Sequence, residues 1–95
     1  MTLAEFKNSL LDSHPPKGLS SVLIALWHDA KGDWEASHNI AQDIDTKEGA
    51  WIHAYLHRKE GDIWNADYWY RNAGRKRPES TLEEEWNELV KRFIV

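Results

Sequence analysis

A nine-residue pattern that occurs twice constrains the fold of this chain more than any other feature. Residues 25–33 read ALWHDAKGD and residues 54–62 read AYLHRKEGD, so both copies match A-x-x-H-x-x-x-G-D. Each copy places a glycine suited to ending one helix directly before an aspartate suited to capping the next. The repeat therefore predicts two helix–turn–helix units in tandem.

The turns of these two units resemble those of tetratricopeptide repeats. The segment GDIWNA fits a G-D-x-x-x-A turn, and GDWEAS places Ser37 at the position of the small residue. The resemblance implies stacked antiparallel helical hairpins. The offset between the copies is shorter than the tetratricopeptide period of about 34 residues, and the consensus proline is absent.

The rest of the chain also follows helical periodicity, and no segment alternates with a period of two. We expect a single all-α domain over residues 1–95 with about six helices. Tandem hairpins at about 20–44 and 48–73 would be flanked by an N-terminal and a C-terminal helix. The helix that opens at Ser20 or Ser21 is apolar almost all round, which predicts that it is the most buried. Ser80 with Glu83 predicts a capping box before the last helix.

Composition and charge exclude several classes of protein. The chain is 41% apolar and 29% charged with a net charge of -4, which predicts a folded core and argues against a nucleic-acid partner. Because the chain has no cysteine, disulfides, thiolate catalysis and cysteine zinc sites are excluded. No apolar run approaches the roughly 20 residues that span a membrane, and Glu5 and Lys7 interrupt any signal peptide. The sequence predicts a soluble cytoplasmic protein.

Residues 53–70 carry a longer motif, H-A-x-x-H-R-x-E-G-D-x-x-N-A-x-Y-W-Y. Together with residues further upstream, this motif resembles a family of small helical proteins from bacteria and fungi to which no activity is attached. The resemblance implies that the matching residues belong together, and it implies no particular chemistry. The matching positions are His28, His38, Gln42, His53, His57, Arg58, Glu60, Asp62, Asn65, Trp69 and Tyr70.

His53, His57 and Glu60 are candidate metal ligands, because their spacing puts them on one stripe of a helix. Two histidines four residues apart present two imidazoles to one ion. His28 or His38 would complete the ligand set for zinc, iron or manganese. The chain would then be a small metal-dependent enzyme of the hydrolase type, with Glu60 as a ligand or general base. The alternative is that the histidines form hydrogen bonds in the core.

A groove for a partner is the leading hypothesis from sequence. Arg58 suits an anion clamp, although a cation at a helix C-terminus is also favoured by the dipole. Asn65 and Trp69 share a helical face and suit a groove for a peptide or small anionic ligand. We therefore expect a non-enzymatic binding domain; a third hypothesis is a homodimerisation module with exposed aromatic residues. The expected ligand-binding residues are His28, His38, His53, His57, Arg58, Asn65 and Trp69.

The segment around Arg71 and 75–77 forms a basic patch in an acidic protein. A nucleic-acid site is one interpretation. The net negative charge favours the other interpretation, in which these cations cap the preceding helix and face the acidic residues 83–85.

Overall fold

The computed structural model describes residues 1–94, and the predicted domain's last residue, Val95, lies outside them. The predicted all-α class is confirmed, since the described residues form six helices and no strand. Within this range no helix is both long and apolar enough to cross a membrane. The helices are α1 (Leu3–Ser9), α2 (Ser21–Ala30), α3 (Trp34–Gln42), α4 (Lys47–Lys59), α5 (Ile63–Asn72) and α6 (Leu82–Phe93).

The repeated sequence produces the same turn twice. Asp33 and Asp62 cap α3 and α5, and each side chain accepts a hydrogen bond from the backbone N–H three residues later. The preceding glycines have φ angles of 84° and 89°, a region in which a Cβ atom would be strained. In both turns the aspartate N–H donates to the carbonyl of the repeat histidine at 2.9 Å. The repeated spacing therefore closes each hairpin through backbone geometry.

Small residues lie at the seams of the two hairpins, where α2 packs on α3 and α4 packs on α5. The Ser37 hydroxyl donates to the carbonyl of Ala25 at 2.6 Å, so its polar atom is satisfied although the residue is fully buried. Ala54 and Ala66 are also fully buried. The paired helices predicted from the repeat are present, and α3 also packs on α4, which joins the two hairpins.

The most buried helix is α4, and the prediction that α2 would be is wrong. Residues 49–56 of α4 are all buried in an unbroken run. The reason is position in the bundle, since α4 packs against α2, α3, α5 and α6. Polar residues such as His53 are therefore enclosed by neighbours in spite of their low hydropathy.

The capping box of α6 is shifted by one residue from its predicted position. Thr81 accepts from the N–H of Glu84, and the Glu84 side chain accepts from the N–H of Thr81. Ser80, the predicted cap, instead gives its backbone carbonyl to the guanidinium of Arg58. The residue before the cap is therefore held by a contact with α4.

Candidate metal centre

Three histidines converge between α3 and α4. His53 and His57 lie on successive turns of α4, and His38 reaches them from α3. One ring nitrogen of each histidine lies within 4.8 Å of the other two, and the Nε2 atoms of His38 and His53 are 2.9 Å apart. Nitrogen ligands on one tetrahedral zinc ion would be about 3.3–3.4 Å apart, given bond lengths of about 2.0–2.1 Å. The three imidazoles are therefore close enough to share one ion after small side-chain adjustments.

Two tryptophans stack on the outer faces of this cluster. Trp34 stacks on His38 with the ring centroids 4.7 Å apart, and Trp69 stacks on His53 at 4.1 Å. The Trp34 indole also donates to the carbonyl of Leu56 at 2.8 Å, which anchors its ring. Sequence reasoning missed Trp34, although its spacing four residues before His38 places both on one helical face.

A carboxylate orients the third histidine. Oε1 of Glu60 lies 2.7 Å from Nδ1 of His57, which leaves Nε2 as the nitrogen available to a metal. Histidines that bind metals commonly donate their other ring nitrogen to a carboxylate. Glu60 forms a second close group with His57 and Asp62 and does not join the His38–His53 contact.

Burial keeps two of the imidazoles neutral. The pKa of His53 falls from 6.5 to about 4, first because burial disfavours its charged form and then because His38 and His57 would repel it. The pKa of His38 is lowered for the same reasons, by burial and then by His57, against an opposing effect of Glu60. Only a neutral imidazole offers a lone pair to a metal, so His38 and His53 are in the protonation state that metal binding requires at neutral pH.

Trp69 packs on this cluster, whereas three other predicted binding residues, His28, Asn65 and Arg58, do not contact it. His28 packs its ring edge-on against Trp27 and lies outside the histidine group. The Nδ2 amide of Asn65 donates to Asp62 at 2.6 Å.

Arg58 points into a separate buried network. Its guanidinium donates to Oε1 of Glu85 at 2.8 Å and to the carbonyl of Ser80. Glu85 is fully buried and also accepts from the Tyr70 hydroxyl and from the Trp51 indole. Arg58 therefore does not line the groove beside the histidines.

A groove of about 420 Å³ lies beside His53 and Trp69. It is bounded by the end of α3, the following loop, the start of α4 and the face of α5 that carries Asn72. Gln42, Asp45 and Asn72 contribute polar groups to its wall. A small molecule in this groove would contact the stacked Trp69 and His53 rings.

Comparisons of the chain with protein-family models, curated proteins and solved structures found no match.

Proposed function

We propose that this protein binds one divalent transition-metal ion, zinc foremost, through His38, His53 and His57. The observation that carries the proposal is the convergence of one nitrogen from each histidine within 4.8 Å. Sequence left open whether His28 or His38 would join the pair on α4. With His38 in that position, the ligand set comes from two helices that are packed against each other.

The surroundings of the three imidazoles favour a metal over an ordinary buried histidine cluster. A single hydrogen bond joins His38 to His53, and it would satisfy both as core residues. His57, however, adds a third ring nitrogen within 4.8 Å of the other two, and that hydrogen bond does not engage it. One ion would bind all three nitrogens, and the carboxylate of Glu60 on His57 would increase the basicity of that ligand.

The number of ligands favours a catalytic site. Structural zinc sites are usually closed by four protein ligands, whereas catalytic sites use three and keep one position open. Among the described residues the histidine group offers three ligand atoms. An ion held by these histidines would lower the pKa of a water molecule and polarise a carbonyl or phosphoryl oxygen. We therefore assign metal-dependent hydrolysis as the reaction class, with the substrate in the groove next to His53.

In this proposal Glu60 is a positioning residue. Its carboxylate holds His57 and lies outside the group formed by the three histidines. The proposal therefore does not need Glu60 as the general base that the sequence suggested.

The interaction-domain hypothesis has less support from the geometry. Arg58 and Asn65, which were expected to line its groove, are engaged by Glu85 and Asp62. A dimerisation surface is favoured by one observation: Trp64 and Tyr68 are exposed and stack on each other with centroids 6.3 Å apart. Light scattering at two protein concentrations tests that surface, and a constant mass would contradict it.

Calorimetric titration of zinc into metal-free protein tests the proposed site. We expect one ion per chain and at least about tenfold weaker binding when His38, His53 or His57 is replaced singly by alanine. His28→Ala and His14→Ala are the matched controls, since both remove a histidine outside the cluster. Circular dichroism establishes that each variant is folded. Equal losses in the controls and the cluster variants would overturn the site.

The reaction class is tested separately on zinc-loaded protein with a panel of ester, amide and phosphoester substrates. Hydrolysis that is lost in His38→Ala and kept in His28→Ala supports the assignment. Stoichiometric zinc without hydrolysis of any of these substrates would retain the metal site and overturn the assigned reaction.

A further inference from the structure

A second cavity, of about 610 Å³, is lined by residues of α4, α5 and the connector over residues 75–79. Five cationic side chains and two acidic ones, Asp67 and Glu79, contribute to its wall. The whole protein has 12 basic and 16 acidic residues, so this cavity reverses the overall balance of charge. Its cations are Arg58, Arg71, Arg75, Lys76 and Arg77.

Two of these cations have no acidic partner among residues 1–94. Arg71 and Lys76 form no ion pair, whereas Arg75 pairs with Glu88 at 3.3 Å and Arg77 pairs with Asp67 at 3.0 Å. The expectation that the basic patch faces residues 83–85 is therefore wrong for Arg75 and Arg77, whose partners are Glu88 and Asp67. The positive charge of the cavity is only partly neutralised by the protein itself.

Arg58 forms a rigid part of the wall. Its guanidinium is fixed by Glu85 and by the carbonyl of Ser80, and these two bonds use only part of its five N–H donors. Tyr70, which also lines the cavity, is fixed by the same carboxylate. A ligand that binds here therefore does not have to order these two side chains, which lowers the entropic cost of binding.

We propose that this cavity binds a small molecule that carries a multiply charged oxyanion, a phosphate group foremost. Arg71 and Lys76 supply two cations that form no ion pair with the described residues, and the planar guanidinium of Arg58 matches the oxygens of such a group. The volume lies within the range of small-molecule sites, about 300–1,000 Å³. A polynucleotide is less favoured, because the net charge of -4 would oppose a long anionic backbone. The proposal does not depend on the metal centre.

Titration of inorganic pyrophosphate into labelled protein, followed by amide NMR shifts at low salt, tests this cavity. We expect saturable shifts in residues 71–79 and not around His38 and His53. The double variant Arg71→Gln/Lys76→Gln should bind pyrophosphate about tenfold more weakly or worse. The reason is that it loses the charge-assisted hydrogen bonds from both side chains to the phosphate oxygens. Lys17→Gln/Lys91→Gln is the matched control: it removes the same charge from two exposed positions outside the cavity.

Local shifts that the control retains and the double variant loses would support the proposal. If pyrophosphate binding weakened equally in both double variants, the proposal would be overturned, because the anion would then respond to the net charge of the protein and not to this cavity. Shifts confined to the histidines, or no saturation at millimolar pyrophosphate, would also overturn it. Binding of a short single-stranded RNA without binding of pyrophosphate would assign this surface to nucleic acid and contradict the small-molecule site.

Discussion

Acidification of the metal-free protein should remove a stabilising contribution that depends on His53. In the folded protein the pKa of His53 is about 4, below its ordinary value of 6.5, because the ring is buried and faces His38 and His57. The unfolded chain therefore binds a proton more readily than the folded one between these two values, so stability is complete above about pH 6.5 and falls as the pH decreases.

The size of the effect follows from the two pKa values. At about pH 5 the loss in the free energy of unfolding is at most about 2 kcal/mol, and it approaches about 3 kcal/mol below pH 4. For a domain of this size, 2 kcal/mol lowers the melting temperature by roughly 10 °C. His38 adds to the loss, because its pKa is lowered as well. Glu84, whose pKa is lowered from 4.5 by its hydrogen bonds to Thr81, loses its contribution only as the pH falls below about 4.5.

Thermal melts followed by circular dichroism between about pH 7 and pH 5, in the presence of a chelator, measure this loss. The variant His53→Gln should lose most of the pH dependence. His14→Gln, which removes an exposed histidine, should keep it. A pH dependence that is unchanged in His53→Gln would refute the reasoning, because the proton would then be taken up elsewhere.

Three further predictions concern Glu60 beside the histidine cluster, Glu85 beside Arg58, and Gly49 at the start of α4. Glu60→Gln should weaken zinc binding about 10–100-fold while the melting temperature of the metal-free protein stays within a few degrees, as measured by competition with a chromophoric chelator; unchanged affinity would count against the positioning role. Glu85→Ala should lower the free energy of unfolding in urea by about 3–5 kcal/mol, because it leaves Arg58 without its buried partner, whereas the exposed Glu83→Ala should change it by less than about 0.5 kcal/mol. Gly49→Ala should cost about 1–3 kcal/mol in the same assay, since its Cβ would overlap the carbonyl and side chain of Ile44; a neutral result would mean that the loop before α4 adjusts freely.

The parts of the fold that the sequence predicted correctly depend on residues close together in the chain. Asp33 and Asp62 cap helices where sequence placed them, because a cap depends on residues within one turn. The error at α6 has a different origin. Ser80 and Thr81 are both followed by glutamate three residues later, and the contact that distinguishes them comes from Arg58 on α4. Burial of α4 likewise depends on neighbours that are distant in sequence.

The candidate site divides in the same way. His53 and His57 lie on one helix, so their spacing alone predicted that their rings would be adjacent. The choice between His28 and His38 depends on how α2 and α3 are rotated against α4, and no local pattern specifies that rotation. Arg58 follows His57 directly in sequence, yet it points into the network of Glu85. Charge and residue type suited an anionic partner for Arg58, but no local pattern indicated that this partner is Glu85 on α6.

X-ray absorption at the zinc edge of the stoichiometrically loaded protein tests the central claim most directly, because it counts imidazole ligands on the ion. We predict three nitrogen ligands with imidazole scattering and one oxygen ligand without it, all at about 2.0–2.1 Å. His38→Ala should lose one imidazole, and His28→Ala should keep all three. A shell of six oxygens, or a spectrum that His38→Ala leaves unchanged, would contradict a metal centre built from His38, His53 and His57.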